Sequence, residues 1–142
     1  MIDQRTAPYA ALLLRAALGI MFIAHALLKY YVFTLPGTVK FFESLGLPGP
    51  LAYVTFFAEL IGGALILAGL GTRYVAAALI PILLGAAWAH AGNGWVFSAP
   101  NGGWEYPAFL AVAAAAQALL GDGAYALRNL FSPQKAQQGV TA

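Results

Sequence analysis

The sequence predicts an all-α membrane protein, a four-transmembrane-helix bundle with both the N and C termini cytoplasmic. Three observations carry that expectation. Hydrophobic residues make up 61% of the 142 and charged residues only 8%, against about 25% charged in soluble domains. Seven basic and five acidic side chains cannot cover a soluble surface of this size, so most of the surface is apolar and calls for lipid. Finally, the apolar residues fall into four long segments, rich in Ala and Leu and lacking the alternation of strands. In hydrocarbon, backbone groups must bond within their own helix or a closed barrel, which leaves helices.

The spans are expected over about 9–32, 51–70, 74–90 and 105–121, forming a single domain with a flexible tail over 133–142. A spanning helix needs about 20 apolar residues. The first two segments meet that, whereas the third and fourth are short unless their flanking aromatics are counted. Gly and Pro set the limits. Leu35-Pro36-Gly37 and Gly46-Leu47-Pro48-Gly49-Pro50 bound a loop over 33–50, and Gly69-Leu70-Gly71 makes a tight turn into the third span. Gly92-Asn93-Gly94 and Asn101-Gly102-Gly103 bracket a second loop. Pro107 suits the first turn of the fourth helix, where its missing N–H costs nothing, and Pro81 is expected to kink the third. Arg5 and Ala24-His25-Ala26 also resemble the flank and cleavage site of a signal peptide. Arg15 inside the apolar stretch argues for a retained span instead.

Orientation follows the distribution of Lys and Arg. Arg5, Arg73, Arg128 and Lys135 fall on the side of the termini, with Arg15 nearby, while Lys40 falls opposite with Lys29 at its edge. The loops 33–50 and 91–106 then face outward, and Tyr30, Tyr31, Trp88, Trp95 and Trp104 gather at the outer interface.

Several functions are excluded or disfavoured by composition. Without Cys there is no disulfide, no thiolate chemistry and no Cys-held zinc or iron–sulfur cluster. The basic residues are scattered singly, so no nucleic acid is expected as partner, and no credible metal set is present. Two His at matched depth raise bis-His haem ligation, which so small a bundle disfavours because few positions remain around a porphyrin.

Ionisable groups inside a span are costly and point to function. Arg15, Phe22, His25 and Lys29 share one stripe of the first helix, with His25 about 15 Å above Arg15 at 1.5 Å per residue. Glu59 lies about 12 Å below the outer end of the second helix on the same count. With His90 closing the third helix and Glu105 opening the fourth, four helices bring polar groups to similar depth. His25, Glu59, His90 and Glu105 are therefore expected to line one outward-opening polar cavity near Trp95 and Trp104, walled by Phe22 and Phe56. Glu59 is expected to pair with Arg15 or with a His on the first helix. Ala58 and Gly62, Ala64 and Ala68, and Gly85 and Ala89, each four apart, predict close helix approach.

The order Arg15-(x)9-His25-(x)3-Lys29, Phe41-Phe42 with Gly46-Leu47-Pro48, Glu59-(x)2-Gly62-Gly63-(x)5-Gly69-(x)2-Thr72-Arg73, His90-(x)3-Gly94 and Gly103-Trp104-Glu105-Tyr106 resembles the DoxX family of small bacterial membrane proteins. The resemblance covers roughly residues 12–130, and departs from the family pattern at Ala26, where Gly is frequent. It implies a four-helix protein of the bacterial cytoplasmic (inner) membrane. It also implies a link to quinone-dependent oxidoreductases, some relatives being described as subunits of thiosulfate:quinone oxidoreductase or terminal quinol oxidase complexes. On that reading the cofactor is a quinone or quinol. His25 and His90 hold its carbonyls, Glu59 relays protons, Arg15 tunes Glu59, and Glu105, Trp95 and Trp104 complete the headgroup site. Electrons would come from a separate redox partner protein, so the chain alone is not a complete enzyme. Two other classes stand beside it. One is a non-catalytic membrane scaffold or assembly partner for a redox or stress-response complex. The other is a small proton-coupled transporter, although no inverted repeat is evident. Membrane lipid and a homo-oligomeric copy are the remaining expected partners.

Overall fold

The computed structural model describes residues 3–131; the tail expected over 133–142 lies outside the described residues. The described chain is helical, in six α-helices: α1 (Ala7–Tyr31), α2 (Leu35–Ser44), α3 (Leu51–Ala68), α4 (Thr72–His90), α5 (Glu105–Leu120) and α6 (Arg128–Phe131), with a 3-10 turn at Ala91–Asn93. Three of them, α1, α3 and α4 extended through Asn93, are long and apolar enough to cross a membrane. α5 is apolar but has 16 residues, or about 24 Å of helix against a hydrocarbon core of about 30 Å.

Local chemistry accounts for most boundaries. Pro8 stands in the first turn of α1, where no N–H is needed. Gly69 ends α3 in the left-handed conformation at φ 73, the usual C-terminal stop, and its N–H bonds back to Ile66 and Leu65 carbonyls. Pro81 sits inside α4, which runs unbroken through it from Thr72 to His90.

The segment 33–50 departs from the expected loop. It contains α2, begun by the Thr34 hydroxyl, which accepts the Gly37 N–H at 3.2 Å. Pro36 stands in the first turn of this helix, where its missing N–H costs nothing.

α1 packs against α3 and α4 against α5, and contacts of α3 with α4 and of α1 with α5 close the ring. The α1–α3 crossing depends on two glycines. A Cβ on Gly63 would stand 2.9 Å from Phe22 Cβ and 3.0 Å from the Gly19 carbonyl, and one on Gly19 would stand 2.8 Å from Leu67 Cβ. Of the small residues expected at interfaces, Gly62 touches Leu79 of α4, whereas Gly85 faces open space. Leu18, Phe22, Ile66, Leu79, Leu83 and Ala114 fill the core between the helices. The outward faces are apolar too, with Leu13 72% and Phe109 69% exposed, the pattern of helices whose outer surface meets lipid rather than water.

Candidate functional site

Polar side chains concentrate at the two ends of the bundle. The lower end is where α1 begins. The upper end is where α1 stops and α5 starts.

At the lower end Arg15 is 2% exposed. Its guanidinium donates to the backbone carbonyls of Asp122 and Tyr125, in the segment that follows α5. Asp122 in turn accepts the Thr72 N–H at 2.8 Å and pairs with Arg128 at 3.2 Å. Burial alone would raise the Asp122 carboxyl, but hydrogen bonds from Thr72 and Arg128, with the Arg128 charge, outweigh it and hold it below its ordinary value. The Leu127 N–H bonds the Ala68 carbonyl, and the Ala124 N–H bonds the Pro8 carbonyl. Together these bonds tie the chain after α5 onto α1, α3 and α4. The expected Arg15–Glu59 pair does not form. Arg15 lies fourteen residues below Lys29, about 21 Å along the helix, and its two terminal nitrogens donate to the carbonyls of Asp122 and Tyr125.

At the upper end Glu59 pairs with Lys29, Nζ to Oε2 at 2.6 Å, with side chains 17% and 8% exposed. Lys29 bends to α3 instead of snorkelling outward. One turn earlier on α1, His25 Nδ1 lies 2.8 Å from the Met21 carbonyl. With the proton placed on Nδ1, that contact is a hydrogen bond and Nε2 carries the free lone pair. The His25 ring stacks on Tyr106 of α5, centroids 5.6 Å apart and planes at 24°. The Tyr106 hydroxyl is buried and has no hydrogen-bond partner among the described residues. Burying a hydroxyl unpaired costs about 1–3 kcal/mol, a cost that a ligand oxygen reaching it would relieve.

His90 and Glu105 serve the loop between α4 and α5. His90 Nδ1 lies 3.0 Å and 3.1 Å from the Asn101 and Gly102 carbonyls, and Asn93 Nδ2 donates to the same two oxygens. Glu105 Oε1 accepts the Phe97 N–H at 2.8 Å. Trp95 and Trp104 meet edge to face with centroids 4.4 Å apart, beneath bonds from the Trp104 and Glu105 N–H groups to the Gly94 and Trp95 carbonyls.

The single cavity expected for His25, Glu59, His90 and Glu105 resolves into separate contacts. Glu59 faces Lys29, His25 faces Tyr106, and His90 and Glu105 face their own loop. Phe22 is a core residue and Phe56 stacks on Tyr30 at 6.1 Å, so neither walls a shared cavity. Tyr106 is the link that composition and spacing did not single out. It joins the α1 layer to an open cleft of about 520 Å³ lined by Trp95, Phe97, Glu105, Tyr106, Phe109 and Val112.

A family model described as DoxX matches residues 10–92, from within α1 to just past the end of α4. A Bacillus subtilis (strain 168) protein carrying the name "Putative oxidoreductase CatD" is 47% identical over 75 residues, 53% of this chain and 54% of that protein. The chain therefore spans about half the length of the curated relative it matches. No solved structure matches the chain.

Proposed function

Because the chain belongs to the DoxX family, we propose that it is a membrane subunit of a quinone- or quinol-linked oxidoreductase system. In this reading α1, α3, α4 and α5 all cross a bacterial cytoplasmic membrane as one domain, with both termini in the cytoplasm and the upper end outside. The name of the Bacillus subtilis relative is consistent with redox work. The observation that carries the proposal is the stacking of the His25 ring, whose Nδ1 is already fixed, on the ring of Tyr106, whose hydroxyl is buried and unpaired.

A quinone headgroup takes up two electrons and two protons as it becomes a quinol, and it needs donors and acceptors at its two oxygens. The Tyr106 O–H donates to a carbonyl oxygen. His25 Nε2 accepts from a hydroxyl when neutral and donates when protonated, so one residue suits both redox forms. The Lys29–Glu59 pair, one turn further up α1, holds exchangeable protons close by. Arg15 positions the lower end and leaves the headgroup to others, while His90, Glu105, Trp95 and Trp104 shape the loop above it. A separate protein supplies the electrons.

Protein purified in mild detergent from its native membrane should carry quinone in its organic extract, in a fixed ratio to protein. Quinone no richer than in an unrelated membrane protein purified alongside would contradict the proposal. It would favour the scaffold reading, in which the self-satisfied Lys29–Glu59 pair only fixes α1 against α3.

A further inference from the structure

The cleft between the 94–105 loop and α5 has a chemistry of its own. Its volume of about 520 Å³ falls within the range of small-molecule sites, about 300–1,000 Å³. Flat aromatic side chains, Trp95, Phe97 and Phe109, line it, and the Tyr106 ring forms part of its wall. Its opening runs along the α5 face where Phe109 is 69% and Val112 68% exposed, so a ligand reaches it sideways from the bilayer. The roof is held in place, because Glu105 Oε1 takes the Phe97 N–H. The other carboxylate oxygen of Glu105 makes no hydrogen bond among the described residues.

Glu105 lines the cleft, and its carboxylate favours one form of ligand. A carboxylate accepts hydrogen bonds and donates none. A ring bearing a hydroxyl gives it a short, charge-assisted O–H···O bond. A ring bearing only carbonyls or ethers sets lone pairs against the charge and is disfavoured. We propose that this cleft is a lateral site for a hydroxylated aromatic ring with an apolar tail, which on the quinone-linked reading is the quinol and not the quinone. The proposal rests on that reading for the ligand's biological identity. The cleft then holds the reduced form at the bilayer edge of the Tyr106–His25 layer, the position from which it exchanges with lipid.

The test uses the full chain in lipid nanodiscs without oxygen, with an alkyl hydroquinone, its quinone and its dimethyl ether as probes and quenching of tryptophan emission as the readout. The hydroquinone should bind at least about tenfold tighter than the ether, the scale of one charge-assisted hydrogen bond. Glu105→Gln keeps a carbonyl oxygen for Phe97 and should erase that preference while leaving the ring bound. Ala108 also lines the cleft; Ala108→Phe fills it, and Val112→Phe fills it from the exposed face should the first variant misfold, and either should weaken every probe. Equal binding of hydroquinone and ether to the native chain, or undiminished binding in the filled variants, overturns the proposal. Quinone bound with unchanged affinity in the filled variants overturns the cleft and leaves the quinone-linked reading standing. Preferential hydroquinone binding by a chain that carries no quinone from its native membrane does the reverse.

Discussion

Lys29→Met is expected to destabilise the bundle by about 3–5 kcal/mol, the typical cost of removing one partner of a buried ion pair. The cost arises from the carboxylate left behind. Glu59 is 6% exposed and its Oε2 meets Lys29 Nζ at 2.6 Å. No other cation is bonded to it among the described residues. Deprived of Lys29, Glu59 must take up a proton or draw in water. Adding Glu59→Leu to Lys29→Met removes the stranded group and should restore most of the stability, because hydrophobic replacements of buried pairs are often neutral or better. Thermal unfolding in detergent, read by helical circular dichroism, separates the two variants. A double variant as unstable as the single one would mean that the pair contributes shape rather than charge. The double variant also lacks the proposed proton carriers beside His25, so a stable double variant that retains less quinone than the native chain would give the pair a part in the site as well as in the packing.

The α1–α3 crossing gives the second large effect. Gly63→Leu puts a branched side chain where even a Cβ would stand 2.9 Å from Phe22 Cβ and 3.0 Å from the Gly19 carbonyl. One of these neighbours is backbone, so relief requires the helices to separate. Overpacking of this kind costs about 1–3 kcal/mol and more where the backbone cannot yield. Separation of α1 from α3 also pulls Lys29 from Glu59, which lies on the same interface. Gly85→Leu is the matched control, since a Cβ there meets nothing within 4 Å. Unfolding temperatures that fall equally for both variants would show that Gly63 does not set the crossing.

Much of this architecture was legible in the residues. The apolar runs bounded by Gly and Pro placed the helices to within a few positions, because lipid demands long uninterrupted apolar stretches and glycine stops them where the chain turns left-handed. α2 was hidden behind Leu35-Pro36-Gly37, which reads as a break, although Thr34 followed by Pro36 is also the start of a helix. The depth count brought Lys29 and Glu59 to similar heights, but Lys29 beside an interface reads equally well as a snorkelling side chain. Arg15 misled for a different reason. Its partners are backbone carbonyls of Asp122 and Tyr125, and no side-chain pattern announces a carbonyl. Tyr106 stands in the Gly103-Trp104-Glu105-Tyr106 motif, but nothing in the motif gives it a role. Only the packing of α5 on α1 reveals that its ring meets His25 and that its hydroxyl is buried unpaired.

The proposed headgroup site of the lipophilic redox ligand is the Tyr106–His25 contact. Redox-induced infrared difference spectroscopy of the chain reconstituted with an alkyl benzoquinone tests it most directly. A carbonyl stretch shifted to lower frequency than in protein-free liposomes, returning to the free position in Tyr106→Phe and altered in His25→Leu while both variants stay folded, is the predicted result. A carbonyl band identical to that of the quinone in plain lipid, or a shifted band that neither substitution moves, would contradict it.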